Sequence, residues 1–221
     1  MTRAVFLDAL GTLLELEPPW RLLRFKVPDS ITEEDLVAAV RLEMDYYREH
    51  AHEGRDAASL AELRERCAEL ISGELGVRIT AQELVDSVRF DPYPDAVPAL
   101  DDLRGRGLTL VVVSNWDCSL EAVLDGCGLA GMLDGVVTSA GAQSRKPDSG
   151  IFRMALELAD CEPAEALHVG DAPEEDGAGA RAAGLRALIV DRDGSEAKGE
   201  SPGRTGGGRR IASLGEIVQH L

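Results

Sequence analysis

The sequence predicts an α/β protein, a parallel sheet with helices on both faces, interrupted after its first strand by an all-helical insert. Two observations carry that reading. Over residues 92–221, short β-prone apolar runs alternate with amphipathic helical stretches, the pattern of βαβ units. Over residues 15–91 only helical periodicity is found, although this region follows directly on the apolar run Ala4, Val5, Phe6 and Leu7. The chain therefore divides into a discontinuous α/β unit, residues 1–14 and 92–221, and a helical unit, residues 15–91.

The first run is short and uniformly apolar, as expected of a strand buried on both faces. It ends in Asp8, followed by a glycine turn and Thr12. A carboxylate there sits where open α/β sheets hold their ligands; the alternative is that Asp8 only starts the turn. Pro18-Pro19 marks a linker. Leu36, Val37, Val40, Met44 and Tyr47 predict a helix over 33–49, with Ser30 and Glu33 as a capping box. Leu60, Leu63, Cys67, Leu70 and Ile71 predict another over 59–75, and Thr80 with Glu83 caps a third before Leu84 and Val88. These stripes read as helix-to-helix packing, not as cofactor contacts.

Residues 90–98 are proline-rich and read as a second linker. A helix over 96–103 is stopped by Gly105 and Gly107, and a strand over 108–113 runs into Ser114-Asn115. Helix 120–124, strand 136–138 and helix 151–158 follow. Strand 166–169 ends in Gly170-Asp171, and helix 178–183 and strand 185–190 complete the alternation. Residues 191–210, rich in Gly, Ser and charge, are expected to form a mobile loop in which Arg204, Arg209 and Arg210 are solvated. Ser213 and Glu216 cap a final helix over 214–221.

A net charge of −17 argues against binding nucleic acid or an anionic membrane through a broad basic face. No stretch approaches the ~18 apolar residues that cross a bilayer, and Asp8 and Glu15 interrupt the N-terminal run too early for a signal peptide. Cys67, Cys118, Cys127 and Cys161 form no CxxC pair, so reduced thiols and a cytoplasmic setting are expected.

Three further features join Asp8. A hydroxyl at a strand end, as at Ser114-Asn115, can hold a phosphate or carboxylate oxygen with nearby backbone N–H groups. Lys146 precedes Pro147 in a chain with three lysines and twenty arginines, a compact point charge where arginine is the usual cation. Asp171 and Asp176 follow another strand and bring carboxylates to the same sheet edge as Asp8, a natural site for Mg²⁺. Gly177-x-Gly179-x-x-Ala182 mimics a dinucleotide fingerprint, but Asp171 to Asp176 separate it from the strand, so it reads as close helix-on-sheet packing.

In the order strand-DxxGT, helical insert, strand-SN, KP, strand-GDxxxxD, nearly the whole chain resembles the haloacid dehalogenase superfamily of hydrolases. The resemblance implies a Rossmann-like core and a helical cap that governs substrate choice. It makes Asp8 the nucleophile of a covalent aspartyl intermediate, with Lys146 neutralising the transferring group. Thr12, Ser114, Asn115 and Lys146 would hold the phosphate of a small phosphorylated metabolite. Mg²⁺ would be held by Asp8, the backbone carbonyl of Leu10 and Asp171, with Asp176 in support.

One position departs from the pattern. Phosphatases of the superfamily usually carry a second aspartate, the general acid/base, where this chain has Leu10; such a group is worth about 10²–10⁴ in rate. Glu15, Asp117, Glu174 and Glu175 lie near the motifs and are the carboxylates that could replace it. The resemblance also leaves open a 2-haloacid dehalogenase, which needs a halide-binding arginine such as Arg21, Arg24 or Arg41, and a non-hydrolysing binder of the same fold. The oligomeric state is not readable from the chain.

Overall fold

The computed structural model describes residues 1–192 and 209–221. In chain order the strands are β1 (Ala4–Leu7), β2 (Leu14–Leu16), β3 (Phe90–Pro92), β4 (Thr109–Ser114), β5 (Gly135–Thr138), β6 (Ala166–Gly170), β7 (Arg186–Val190) and β8 (Arg209–Ile211). Six of them form one parallel sheet in the order β5-β4-β1-β6-β7-β8, and β2 and β3 form a separate antiparallel ribbon. The helices are α1 (Trp20–Leu23), α2 (Glu33–His50), α3 (Ala57–Leu75), α4 (Ala81–Ser87), α5 (Ala96–Gly105), α6 (Leu120–Gly126), α7 (Ser139–Ala142), α8 (Ser149–Ala159) and α9 (Gly179–Ala182).

The expected α/β architecture is present, and strand alternation explains its two layers of helices. On one face of the sheet Val5, Leu7, Leu110, Val112, Leu167 and Val169 pack with Leu100 and Leu103 of α5 and Leu120 and Leu124 of α6. On the other, Ala4, Phe6, Val111 and Val113 pack with Ile151, Phe152 and Ala155 of α8. Neighbouring residues of one strand thus serve opposite cores, as the two-residue period of a strand requires. The helices of residues 15–91 bury a third core of their own, including Leu36 and Val40 from α2, Leu63, Cys67 and Ile71 from α3 and Leu84 from α4.

Several local expectations change. The α2 cap is Thr32, whose Oγ1 accepts from the Asp35 backbone N–H at 3.1 Å; Ser30 lies too far ahead of the first helical residue, Glu33, to serve. The α3 helix starts two residues before Ser59 and is capped by Asp56, with Ser59 completing the box. The Thr80–Glu83 and Ser213–Glu216 boxes are both present. Both expected linkers contribute instead to the β2–β3 ribbon, in which Leu14 pairs with Pro92 and Leu16 with Phe90; three residues per strand are too few to leave a periodic signal. The helix expected over 178–183 begins as a wide turn, Pro173–Ala178, before α9, and the last helix is a 3₁₀ segment, Leu214–His220. Of the expected loop, most of it, with Arg204, lies outside the described residues. Arg209 and Arg210 belong to β8, where Arg210 Nη1 donates to Asp191 Oδ2 at 3.0 Å.

One network ties the far edge of the sheet to the rest. Arg192, just beyond β7, donates to Asp95 Oδ2 at 2.9 Å and to the Thr12 carbonyl at 2.8 Å, and its guanidinium stacks 3.8 Å from the Tyr93 ring centroid. The same Asp95 oxygen accepts from Ser213 Oγ and the Leu214 N–H, so it also holds the start of the C-terminal 3₁₀ segment. Burial alone would raise the Asp95 carboxyl, but Arg192 and these donors outweigh it and hold it below the ordinary value. A depressed folded-state value contributes stability above the ordinary carboxylate range that is lost as pH falls through the folded one. Asp95→Asn is therefore expected to destabilise the protein by about 1–3 kcal/mol at pH 7. Urea unfolding should show the gap between variant and wild type narrowing below about pH 4.

Candidate functional site

The C-terminal ends of β1, β4 and β6 meet at the middle of the sheet, and each delivers one part of a buried ionic cluster. At the end of β1, the Asp8 N–H donates to the Val169 carbonyl at 2.9 Å, which fastens the strand end to β6. The next residues fold into a tight strap, because the N–H groups of Leu13 and Leu14 both donate to the Ala9 carbonyl, at 2.9 and 2.8 Å. Gly11 in this strap has φ +85°, and a Cβ there would fall 2.4 Å from Asp171 Oδ2. Only glycine lets the strap lie against that carboxylate.

At the end of β4, Ser114 Oγ donates to Asp8 Oδ1 at 2.9 Å. Lys146, 1% exposed, donates through Nζ to the same Oδ1 at 2.5 Å and to Asp176 Oδ1 at 2.6 Å. Burial opposes the Lys146 charge, but the two carboxylates beside it more than restore it and raise its pKa. The lysine is a buried cation held by two anions.

Asn115 takes a part that its sequence position does not reveal. Its Oδ1 accepts from the Lys146 N–H at 2.8 Å, and its Nδ2 donates to the Lys146 carbonyl at 3.0 Å and to Glu175 Oε2 at 3.1 Å. The side chain clamps the backbone of the lysine.

Asp176 is reached from β6. His168 Nε2 meets its Oδ1 at 2.8 Å, and the Ala172 N–H donates to its Oδ2 at 2.9 Å. A Cβ at Gly170 would lie 2.1 Å from Asp176 Cγ, so glycine at the strand end lets the carboxylate fold back over it. Burial would raise the Asp176 carboxyl, but Lys146 and then His168 outweigh it and hold it well below the ordinary value. Asp8 goes the other way: burial raises it against the pull of Lys146, and the charge of Asp176 adds to the rise. Asp171 stands at the exposed lip, where lost hydration, followed by the charges of Asp8 and Asp176, raises its carboxyl to about 7.

Ligand oxygens of Asp8, Asp171 and Asp176 lie within 4.8 Å of one another. This all-oxygen set suits a hard divalent cation. The three carboxylates are not equivalent, since Asp176 is already engaged by Lys146, His168 and a backbone N–H, whereas Asp171 is open.

A cavity of about 760 Å³ opens from this cluster into the helical block and is lined from both sides, by Asp8, Ser114, Lys146 and Asp171 and by Glu43, Met44, Tyr47 and Arg64. Its size suits a small metabolite. Tyr47 of α2 donates its hydroxyl to Asp117 Oδ2 at 2.7 Å, and the Cys118 N–H donates to the Gly54 carbonyl at 2.8 Å, so the helical block is joined to the loop after β4.

Of the residues singled out in the sequence, Asp8, Ser114, Asn115, Lys146, Asp171 and Asp176 all reach this cavity, and Leu10 lines it with Gly11. Thr12 is fully buried, is not among the lining residues, and leaves its Oγ1 without a partner. Among the carboxylates considered as acid/base, Asp117 and Glu175 line the cavity, and Glu15 and Glu174 do not. Arg21, Arg24 and Arg41 do not line it either; Arg24 is spent on the carbonyls of Val27, Pro28 and Ile31. His168 escaped the sequence reading. Its one signal is a lone imidazole in an otherwise apolar strand that ends in Gly-Asp.

Comparison with known proteins gives a consistent picture. A family model described as haloacid dehalogenase-like hydrolase matches residues 2–184. Haloacid dehalogenase-like hydrolase domain-containing protein 3 of Bos taurus is 47% identical over 95 residues, 43% of this chain and 38% of that protein. A phosphoserine phosphatase of Thermus thermophilus is 43% identical over 105 residues, 47% of this chain and 42% of that one. The chain thus aligns with less than half the length of these curated relatives. The solved L-2-haloacid dehalogenase of Xanthobacter autotrophicus superposes with a TM-score of 0.71 at 23% identity, over 99% of this chain and 98% of that one, a likeness of fold.

Removing the lysine would leave Asp8 and Asp176 buried without a countercharge. Lys146→Ala is expected to cost about 3–5 kcal/mol of stability. Adding Asp176→Asn to that variant should recover part of the loss, read as a coupling energy in a double-mutant cycle of urea unfolding in EDTA.

Proposed function

The chain belongs to the haloacid dehalogenase-like hydrolases, and from that premise we propose that it hydrolyses a small phosphate monoester through Asp8. The observation that carries this reading is the joint hold of Ser114 and Lys146 on Asp8 Oδ1, beside an acidic group suited to Mg²⁺. Both donors fall on Oδ1, which leaves Oδ2 to attack phosphorus. The P–O bond to the leaving group breaks as the Asp8–phosphorus bond forms, giving an aspartyl phosphate and an alkoxide or phenoxide. Water then attacks the same phosphorus, which releases inorganic phosphate and regenerates the Asp8 carboxylate. Splitting the reaction in this way replaces one hard displacement by two easier ones.

Lys146 and Ser114 hold the nucleophile in place and offset the repulsion between its charge and an incoming dianion. Asn115 fixes the lysine backbone, and His168 with the Ala172 N–H fixes Asp176 as the second anion that holds the ammonium. Asp8, Asp171 and the Leu10 carbonyl would hold Mg²⁺, with Asp176 in support; when bound, the ion neutralises phosphate oxygens. The helices of residues 15–91 act as a cap that closes the cavity and selects the substrate. Among the described residues Cys67, Cys118, Cys127 and Cys161 are free thiols, which suits the reducing cytoplasm.

Halide displacement is the second reading that this fold accommodates, and the exposed carboxylate of Asp171 argues against it, since displacement of halide from carbon needs no metal. Hydrolysis of p-nitrophenyl phosphate in Mg²⁺ tests the assignment. Activity is expected in wild type and is expected to vanish in Asp8→Asn and in EDTA; halide release from 2-chloropropionate with no phosphatase activity would reverse it. Because Leu10 cannot protonate a leaving group, aryl phosphates are expected to exceed alkyl phosphates in kcat by about 10²-fold or more. Equal kcat values would show that another group supplies the proton.

A further inference from the structure

Glu43 is the only carboxylate or basic side chain among residues 15–91 that is buried, at 8% exposure. It sits on α2 one helical turn before Tyr47 and lines the same cavity as Asp8. Its neighbours on α2, Leu36, Ala39 and Val40, are apolar and fully packed, so a leucine in its place would satisfy the helix interface equally well. Burying a carboxyl there is costly unless something answers it.

The protein itself answers it poorly. Among the described residues Glu43 is in no ion pair, and the group that answers it is the thiol of Cys67 on α3, a weak donor. Burial and the facing carboxyl push that thiol up, and burial pushes Glu43 up as well. Arg48 and Arg64 line the cavity, yet among the described residues neither forms an ion pair with Glu43; Arg48 pairs with Asp45 instead. The cavity thus has the Asp8–Lys146 cluster at its floor and, in its wall, a buried carboxyl that no cation among the described residues pairs.

We propose that Glu43 is a specificity residue that receives a cationic nitrogen of the substrate, so that the preferred substrates are small phosphomonoesters carrying an ammonium group remote from the phosphate. A full positive charge is the complement that a water-poor carboxylate gains most from, more than from a neutral hydroxyl. The inference rests on the phosphate-hydrolase reading for the orientation of the ligand, phosphate toward Asp8 and nitrogen toward Glu43.

The test measures binding by calorimetry in the Asp8→Asn protein, where turnover cannot interfere, with Mg²⁺ present. The probes are 2-aminoethyl phosphate, its near-isostere n-propyl phosphate, and 2-hydroxyethyl phosphate. The amine is expected to bind at least tenfold more tightly than either of the others. That preference is expected to fall below threefold when Glu43→Gln is added and to persist in part with Glu43→Asp. Equal binding of the three probes would overturn the proposal, as would a preference that survives Glu43→Gln. Binding of the hydroxyl probe as tightly as the amine would also overturn it, since that requires only a neutral donor. If Glu43→Gln does not fold, the comparison of the three probes on the Asp8→Asn protein alone decides. Hydrolysis of p-nitrophenyl phosphate by wild type is scored separately: its absence would remove the hydrolase reading, while the calorimetry still reports on Glu43.

Discussion

A single ammonium group organises the centre of this protein. Three carboxylates converge at the ends of two neighbouring strands, and in a low-dielectric interior their mutual repulsion would drive the sheet edge apart or force them to take up protons. Lys146 offsets this by placing one cation between Asp8 and Asp176, which holds Asp176 below its ordinary value and opposes the rise at Asp8. The surrounding details serve that placement: Asn115 grips the lysine backbone from both sides, and His168 and the Ala172 N–H hold Asp176. Glycines at positions 11 and 170 allow the carboxylates to approach the backbone as closely as they do.

The third carboxylate, Asp171, is left outside this arrangement, and lost hydration followed by the charges of Asp8 and Asp176 raises its pKa. One cation for three anions leaves the site short of positive charge, and a hard divalent ion is the simplest complement to that shortage. Removing the protein cation would leave two buried carboxylates without a partner, whereas the exposed Asp171 carboxylate carries no such load. Structural and functional electrostatics are here divided between neighbouring oxygens of one cluster.

The alternation of apolar runs and helical stripes made the sheet legible in the sequence, because a buried parallel strand must be apolar on both faces. Strand ends were legible for the same reason. Asp8, Ser114 and Asp171 each follow an apolar run directly, and a polar residue at that position reads as facing the ligand edge. What was not legible depended on long-range pairing. The β2–β3 ribbon joins segments some seventy residues apart through three residues on each side, and β8 joins the sheet across a polar stretch, so neither leaves a local period. Asn115 lines the cavity beside Ser114 as its sequence position suggests, but its grip on a backbone thirty-one residues away could not be read from the sequence. Glu43 was invisible for a different reason: on a helix read only for its apolar stripe, a glutamate is assigned to solvent, and only packing shows that it faces inward.

The order of the strands carries a kinetic consequence. The central strand β1 pairs with β4, Ala4 opposite Thr109, and with β6, Ala4 opposite Ala166, so neither of its neighbours is local in the chain. Contacts of such separation pay a large loop-closure cost before they return any stability, and they slow folding. The helical block, with short-range contacts and a core of its own, has no such handicap. The residues around Asp8 therefore depend on pairings far apart in the chain, whereas the helical block rests on contacts that are nearer in sequence.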